Sequence, residues 1–175
     1  MSGNGAGAGS GARNVTNIVL AGLGGQGVIK ASDILADAAL RAGFDVKKAE
    51  VHGMSQRGGS VTSDVRFGRK VLSPMVPRGE ADFLVVLAPS EVEVTRPLLR
   101  AGGVLLSPDL VPEASLPNKR SLNVALLGAL SPHLDIPVEA FLDAIRAALP
   151  ERLHLVNERA FELGRTLAAP QVKMR

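Results

Sequence analysis

Two glycine-rich segments carry the side chains and backbone groups with which this chain could do chemistry. The first is Gly22-Leu23-Gly24-Gly25-Gln26-Gly27. It follows a short apolar run and precedes a helical pattern, so Gly22, Gly24, Gly25, Gln26 and Gly27 form a G-x-G-x-x-G turn in a strand–turn–helix setting. There the free N–H groups at a helix start can hold a phosphate. The same turn would equally serve close strand–helix packing and nothing else. The second segment runs from His52 to Ser60 and mounts an imidazole, a guanidinium, an amide and two hydroxyls among three glycines. Within it His52, Gln56, Arg57, Gly58, Gly59 and Ser60 are candidates for a ligand-facing loop. Arg57 can clamp a phosphate or carboxylate, and the N–H groups of Gly58 and Gly59 can make an anion nest. His52 by itself also reads as a hydrogen-bonded structural histidine. The chain contains no nucleophile-plus-base set, no carboxylates paired at helical spacing and no metal-ligand grouping, and His133 and His154 stand in separate segments as surface residues.

Composition narrows the classes of function. The chain has 175 residues, 46% hydrophobic and 21% charged, the size and polarity of one globular domain. It has no Cys, which excludes a disulfide framework, a thiolate zinc site, an iron–sulfur cluster on its own Cys ligands and a Cys nucleophile. Aromatics are 3%, with no Trp or Tyr, too few for base-stacking platforms, so the pI of 9.7 does not argue for nucleic acid. No apolar run reaches the roughly 18 to 20 residues of a membrane span, and no charged start with an apolar core marks export; the expected location is cytoplasmic. The net charge is +3, yet from Arg41 to Lys70 seven cations face three acids, a local excess of +4. That field suits a phosphorylated or carboxylate ligand or an acidic partner face, or it is a solvated sheet surface. Lys47 and Lys48, flanked by Asp45 and Glu50, occupy the region where nicotinamide binding wants an acid for the ribose hydroxyls, which disfavours NAD.

The elements that would position these loops follow from hydrophobic periodicity. Residues 1–13, nearly all Gly, Ala and Ser at first, read as a flexible tail, 14–170 as a single domain and 171–175 as a second tail. Strands are expected at 16–21, 44–51, 61–67, 82–88 and 104–107, with a short return strand at Val71-Leu72 limited by Pro74. Helices are expected at 28–42, 90–99 with Ser90 as N-cap and Gly102-Gly103 closing it, 121–130, 138–149 with Pro137 at its first turn, and 151–167. The helix at 121–130 is apolar nearly all round, as a buried or subunit-contacting helix would be. The first two strands and the helix between them make a right-handed βαβ unit, and 61–72 a hairpin. The fold class is therefore α/β: three layers about a mostly parallel, mixed sheet, with a Rossmann-like Gly-rich first turn and C-terminal helices.

The strings GLGGQGVIKASDILADAAL, EVHGMSQRGGSVTSDVRFG, VLSPMVPRGEADFLVVLAPSE, SLNVALLGAL and VNERAFELG together resemble the gamma-type module of the 2-oxoacid:ferredoxin oxidoreductases, from about Asn17 to Gly164. The HGMSQRGGSV form with its SP…GEAD continuation is most similar to the indolepyruvate branch. The chain is short for that branch. The resemblance implies a subunit of an enzyme that oxidatively decarboxylates a 2-oxoacid with CoA to acyl-CoA, CO2 and reduced ferredoxin. It implies that thiamine diphosphate, Mg2+ and [4Fe-4S] clusters sit on a large alpha subunit in a hetero-oligomer such as alpha2beta2, that ferredoxin is the acceptor, and that CoA is a co-substrate. The isolated chain would bind no cofactor alone and be inactive. By the same resemblance, Gly22, Gly24, Gly25, Gln26 and Gly27 match the family's Gly-rich loop, and His52, Gln56, Arg57, Gly58 and Gly59 its second motif. Both loops are expected to meet at the carboxyl ends of the strands and to approach CoA phosphates or the substrate's entrance.

Overall fold

The computed structural model describes residues 14–52 and 59–169. Five strands, β1 (Val15–Leu23), β2 (Asp45–His52), β3 (Ser60–Gly68), β4 (Ala81–Val86) and β5 (Leu99–Leu106), form one sheet in the order β2-β3-β1-β4-β5. β1 pairs in parallel with β4, and β4 with β5. β3 runs antiparallel to both β1 and β2, from Leu23↔Ser60 to Val15↔Gly68 and from His52↔Val61 to Asp45↔Gly68. All strands but β3 therefore point one way, and the α/β mixed sheet is as expected. The crossover from β1 through α1 (Val28–Arg41) to β2 skips one position, because β3 takes the place between them.

β1 lies in the middle of the sheet and is buried on both faces. Ile18 and Leu20 enter the main core with the inward stripe of α1 and the helices α3 (Leu122–Leu130), α4 (Val138–Ala148) and α5 (His154–Ala168). Val19 and Ala21 point the other way, into a smaller cluster with Leu84 and Val86. A continuous apolar run with both faces covered is what a central strand of an α/β sheet requires. Phe141 and Phe161, both 0% exposed with ring centroids 5.2 Å apart, tie α4 to α5. α3 is buried along its length, in agreement with its all-round apolar sequence, and packs most closely on α5: a Cβ placed on Gly128 would lie 1.9 Å from the Phe161 carbonyl oxygen, and one on Gly164 1.8 Å from that of Ala125.

Three expectations fail locally. There is no return strand at Val71-Leu72: the Val71 N–H donates to Asp45 Oδ2 at 2.7 Å, the Val76 N–H donates to Asp64 Oδ2 at 2.8 Å, and Arg66 Nη1 donates to the Ser73 carbonyl at 2.8 Å. Side chains of β2 and β3 thus tie the 71–76 segment down where a ladder was expected, and β3 forms its hairpin with β2 instead. The helix expected at 90–99 is a 3-10 turn (Pro89–Glu91), one α turn, α2 (Val92–Thr95), and a second 3-10 turn (Arg96–Leu98). Pro89 and Pro97 each remove a backbone donor, and Ser90 caps nothing. Gly102 and Gly103 do not close a helix; they lie inside β5, where the register on β4 shifts between Ala81 and Phe83.

Asp64 gives this strapped face a pH signature. Its burial raises the carboxyl above the ordinary carboxylate range, only partly offset by the Val76 N–H and the Arg66 charge. A carboxyl whose folded pKa is raised holds its proton more tightly when folded. Stability is therefore lost as pH climbs from the ordinary carboxylate range through the raised value, and the loss is constant above it. Asp64→Asn keeps an acceptor for Val76 and removes the titration. Urea unfolding between pH 4 and 7 is expected to show the variant gaining on the natural chain as pH rises; a pH-independent difference would refute this.

Candidate functional site

The Gly-rich turn sits at the carboxyl end of β1, as an α/β sheet places its sites. Its internal bonds close it on itself. Gln26 N–H donates to the Leu23 carbonyl at 3.2 Å, and Leu23 N–H donates to Gln26 Oε1 at 2.7 Å. A Cβ on Gly22 would lie 2.9 Å from Gln26 Oε1 and 2.9 Å from Val28 Cγ2, so Gly22 is needed for close packing. Gly27 has φ +83° and stands before α1, and a Cβ there would meet Asn123 Nδ2 at 2.5 Å. Asn123, buried on α3, donates through Nδ2 to the Gly27 carbonyl at 3.1 Å. The turn is thereby fastened to the innermost helix. Gly25, with φ +86°, is exposed and has nothing within 4 Å of its Cβ direction.

The two candidate loops meet where they can be followed. Gly24 N–H donates to the Gly59 carbonyl at 2.9 Å. Beside it, Ser60 Oγ donates to Glu91 Oε2 at 2.7 Å, and Glu91 is 7% exposed. Glu91, in the first turn after Pro89, thereby anchors the first residue of β3. His52 ends β2 opposite Val61. Gln56, Arg57 and Gly58 lie outside the described residues.

Beyond Gly25 opens a cleft of about 540 Å³, lined by Gly25, Gln26, Gly27, Lys30, Leu87, Lys119, Arg120, Leu122 and Asn123. No acidic residue lines it. Lys119 is paired with Glu113, while Lys30 and Arg120 have no carboxylate partner among the described residues. A helix start, exposed glycine N–H groups and these cations suit an anionic ligand.

Among the described residues, the charged window from Arg41 to Lys70 does not supply that field. Arg41 pairs with Asp37 at 3.0 Å. Lys48 Nζ bonds Asp33 Oδ1 and Glu50 Oε1, each at 2.5 Å. Burial lowers the Lys48 ammonium pKa, but the bonds to Asp33 and Glu50 raise it by more, so its charge is fixed and locally neutralised. Arg66 Nε donates to Asn17 Oδ1 at 2.8 Å. No described cation of that window lines the cleft. His133 is exposed at the surface as expected, its ring 5.5 Å from that of Phe83; His154 is half-buried, with Nε2 2.7 Å from the Leu149 carbonyl oxygen.

The family model for pyruvate ferredoxin/flavodoxin oxidoreductase matches residues 17–117, both glycine loops included. The chain belongs to that family. The indolepyruvate oxidoreductase subunit IorB of Thermococcus kodakarensis is 36% identical over 85% of this chain and 93% of its own length. The crystal structure of a keto/oxoacid ferredoxin oxidoreductase gamma subunit from Geobacter sulfurreducens PCA superposes with a TM-score of 0.74 at 27% identity, over 87% of this chain and 98% of that one. A 2-oxoglutarate:ferredoxin oxidoreductase from Magnetococcus marinus, solved with 2-oxoglutarate, coenzyme A and succinyl-CoA bound, superposes with a TM-score of 0.75 over 90% of this chain and 31% of that chain; at 21% identity the likeness is one of fold. The chain is a subunit-type member of the 2-oxoacid ferredoxin oxidoreductases, similar to subunits of the indolepyruvate branch named from the HGMSQRGGSV form. Among the described residues no helix is long and apolar enough to cross a membrane, and no group of three or more His, Asp or Glu could hold a metal ion.

Lys30, Lys119, Arg120 and Asn123 escaped the sequence reading. Lys30 belongs to the helix that follows the turn, whereas the others come from a turn and helix about 90 residues further on. Local charge counting cannot join segments so far apart, although Asn123, a polar residue near the start of an otherwise apolar helix, was a visible signal.

Proposed function

We propose that this chain is the small subunit of a thiamine-diphosphate-dependent 2-oxoacid:ferredoxin oxidoreductase acting on indolepyruvate or a related arylpyruvate. It completes the assembly and lends its glycine cleft to the phosphates of CoA. The observation that carries this reading is the cleft at the Gly25 turn, where free glycine N–H groups, the start of α1, Lys30 and Arg120 converge with no lining acid. A diphosphate needs that combination of N–H donors and unpaired cations. A partner would supply thiamine diphosphate with Mg2+ and the [4Fe-4S] clusters; it would carry decarboxylation and one-electron transfer to ferredoxin, since this chain has no Cys to ligate a cluster. The chain's own residues bind and orient the thiol carrier: Gly24 and Gly25 permit close approach, Lys30 and Arg120 neutralise charge, and Asn123 holds the turn against α3. To the second loop, with His52, Gln56, Arg57, Gly58, Gly59 and Ser60, we assign a role in the same binding step, with Arg57 binding CoA or the 2-oxoacid carboxylate.

The test is co-purification with the partner followed by viologen reduction over indolepyruvate, phenylpyruvate, pyruvate and 2-oxoglutarate. Expected are a large subunit carrying thiamine diphosphate and iron, CoA-dependent turnover fastest on the aryl substrates, and a rise in the KM for CoA of about tenfold in Arg57→Ala, the loss of one charge-assisted contact. A chain that is active as a monomer without any partner would overturn the reading, as would CoA-independent turnover.

A further inference from the structure

Behind the glycine cleft the groove continues. A second lobe of about 330 Å³ shares Lys30, Arg120 and Asn123 with the first and ends against Arg152 and Asn157. Its walls are the turn before α3, with Asn118, Arg120 and Ser121, and the turn before α5, with Arg152 and Leu153. The starts of α3 and α5 both border this space, and the guanidinium groups of Arg120 and Arg152 stand beside them. No carboxylate lines the lobe, and Arg120 and Arg152 have no ion-pair partner among the described residues. Arg41, Arg96, Arg100, Arg146 and Arg165 each pair with an acid, whereas these two guanidinium groups border one cavity together with Lys30. The lining mixes apolar side chains, Val124, Leu149 and Val156, with amides held in place: Asn157, 8% exposed, donates through Nδ2 to the Leu153 carbonyl at 2.9 Å, and Asn118 Oδ1 accepts from the Arg120 N–H at 2.9 Å. Two guanidinium groups and an ammonium gathered without an acid make a site for a dianion, and the planar fork of Arg favours the oxygens of a phosphate monoester.

We infer that this second lobe, through Arg120 and Arg152, binds the phosphomonoester of a nucleotide-bearing thiol whose diphosphate occupies the Gly25 lobe, and so selects CoA over dephospho-CoA. The inference rests on the CoA reading given above and adds to it a specificity-determining pair that neither glycine loop contains. The two lobes match the two anionic centres of CoA, a diphosphate and a separate 3′-phosphate. Arg120 lies where the lobes join and touches both; Arg152 belongs to the second lobe alone.

The assembled complex is titrated calorimetrically with CoA and with dephospho-CoA, and kcat/KM is measured for both thiols, in the natural form and in Arg152→Gln, Arg120→Gln/Arg152→Gln and Gly25→Asp. Arg120 and Arg152 are exposed on short turns, and unchanged complex mass and melting temperature confirm that the variants assemble. The natural complex is expected to bind CoA at least about tenfold more tightly than dephospho-CoA, one charge-assisted contact's worth. Arg152→Gln should remove most of that preference by weakening CoA while leaving dephospho-CoA unchanged, and the double variant should abolish it. A preference that survives both Arg variants, while Gly25→Asp weakens both thiols alike, overturns this inference and leaves the CoA reading standing. Absence of any preference in the natural complex has the same meaning. If Gly25→Asp also leaves both thiols untouched, the CoA reading fails with it.

Discussion

Gly164→Ala and Gly128→Ala are each expected to cost about 3 kcal/mol or more and to leave little folded chain at 37 °C. Alanine is ordinarily the better helix residue by about 1 kcal/mol, so propensity predicts the opposite sign. Packing decides the matter. The added methyl at 164 would sit 1.8 Å from the Ala125 carbonyl oxygen and that at 128 would sit 1.9 Å from the Phe161 oxygen, contacts that only separation of the two helix backbones can relieve. Separation would in turn open the core around Phe161, which is fully buried. Native domains hold only about 5 to 15 kcal/mol in total, so a loss of this size is a large share. Denaturant midpoints and soluble yield measure it. A melting temperature unchanged or raised in either variant would mean that α3 and α5 lie farther apart than described.

The second large effect separates two neighbouring glycines with nearly the same backbone geometry. Gly25→Asp is expected to leave the melting temperature within a few degrees while raising the KM for CoA of the assembled enzyme tenfold or more. Asp tolerates a left-handed φ better than most residues, nothing crowds its Cβ direction, and its carboxylate brings a negative charge to a cationic cleft. Gly27→Ala is expected to cost stability too. Its φ of +83° penalises any L side chain by about 1 to 2 kcal/mol, and the methyl displaces Asn123 Nδ2 from the Gly27 carbonyl. Equal losses of stability in the two variants, or a Gly25→Asp enzyme with normal CoA kinetics, would contradict the division of the turn into a packed half and a ligand-facing half.

Much of this architecture is legible in the sequence. The run Ile18-Val19-Leu20, the glycines that stop it and the helical spacing from Val28 onward fix β1, the turn and α1 within two residues. Short-range pattern does not carry strand neighbours. The alternation of Val61, Val65 and Phe67 shows a strand, yet its place between β1 and β2 depends on pairing with β1, from Leu23↔Ser60 to Val15↔Gly68, far along the chain. The return strand at Val71 was lost to side-chain bonds from Asp45, Asp64 and Arg66, which no periodicity encodes. At the site the glycines were legible because backbone geometry needs them locally. The cations were not, since Lys30 becomes a neighbour of Arg120 and Arg152 only after α3 and α5 have docked. Within the +4 window the described Lys48 finds its acids on α1 and along its own strand, a pairing that counting charges along the chain does not show.

The placement of Arg120 and Arg152 on short turns, with Asn123 and Asn157 buried behind them, divides the groove into a part that can drift and a part that cannot. A substitution at an exposed turn residue changes stability by only about 0.5 kcal/mol, whereas one at the amides or at the glycines under them disturbs the core. If the groove binds a phosphorylated carrier as proposed, selection can revise which one it prefers, one arginine at a time, while the scaffold that holds the turn stays constant. Such a groove is evolvable at its rim, and relatives that use different carriers would be expected to differ first at positions 120 and 152.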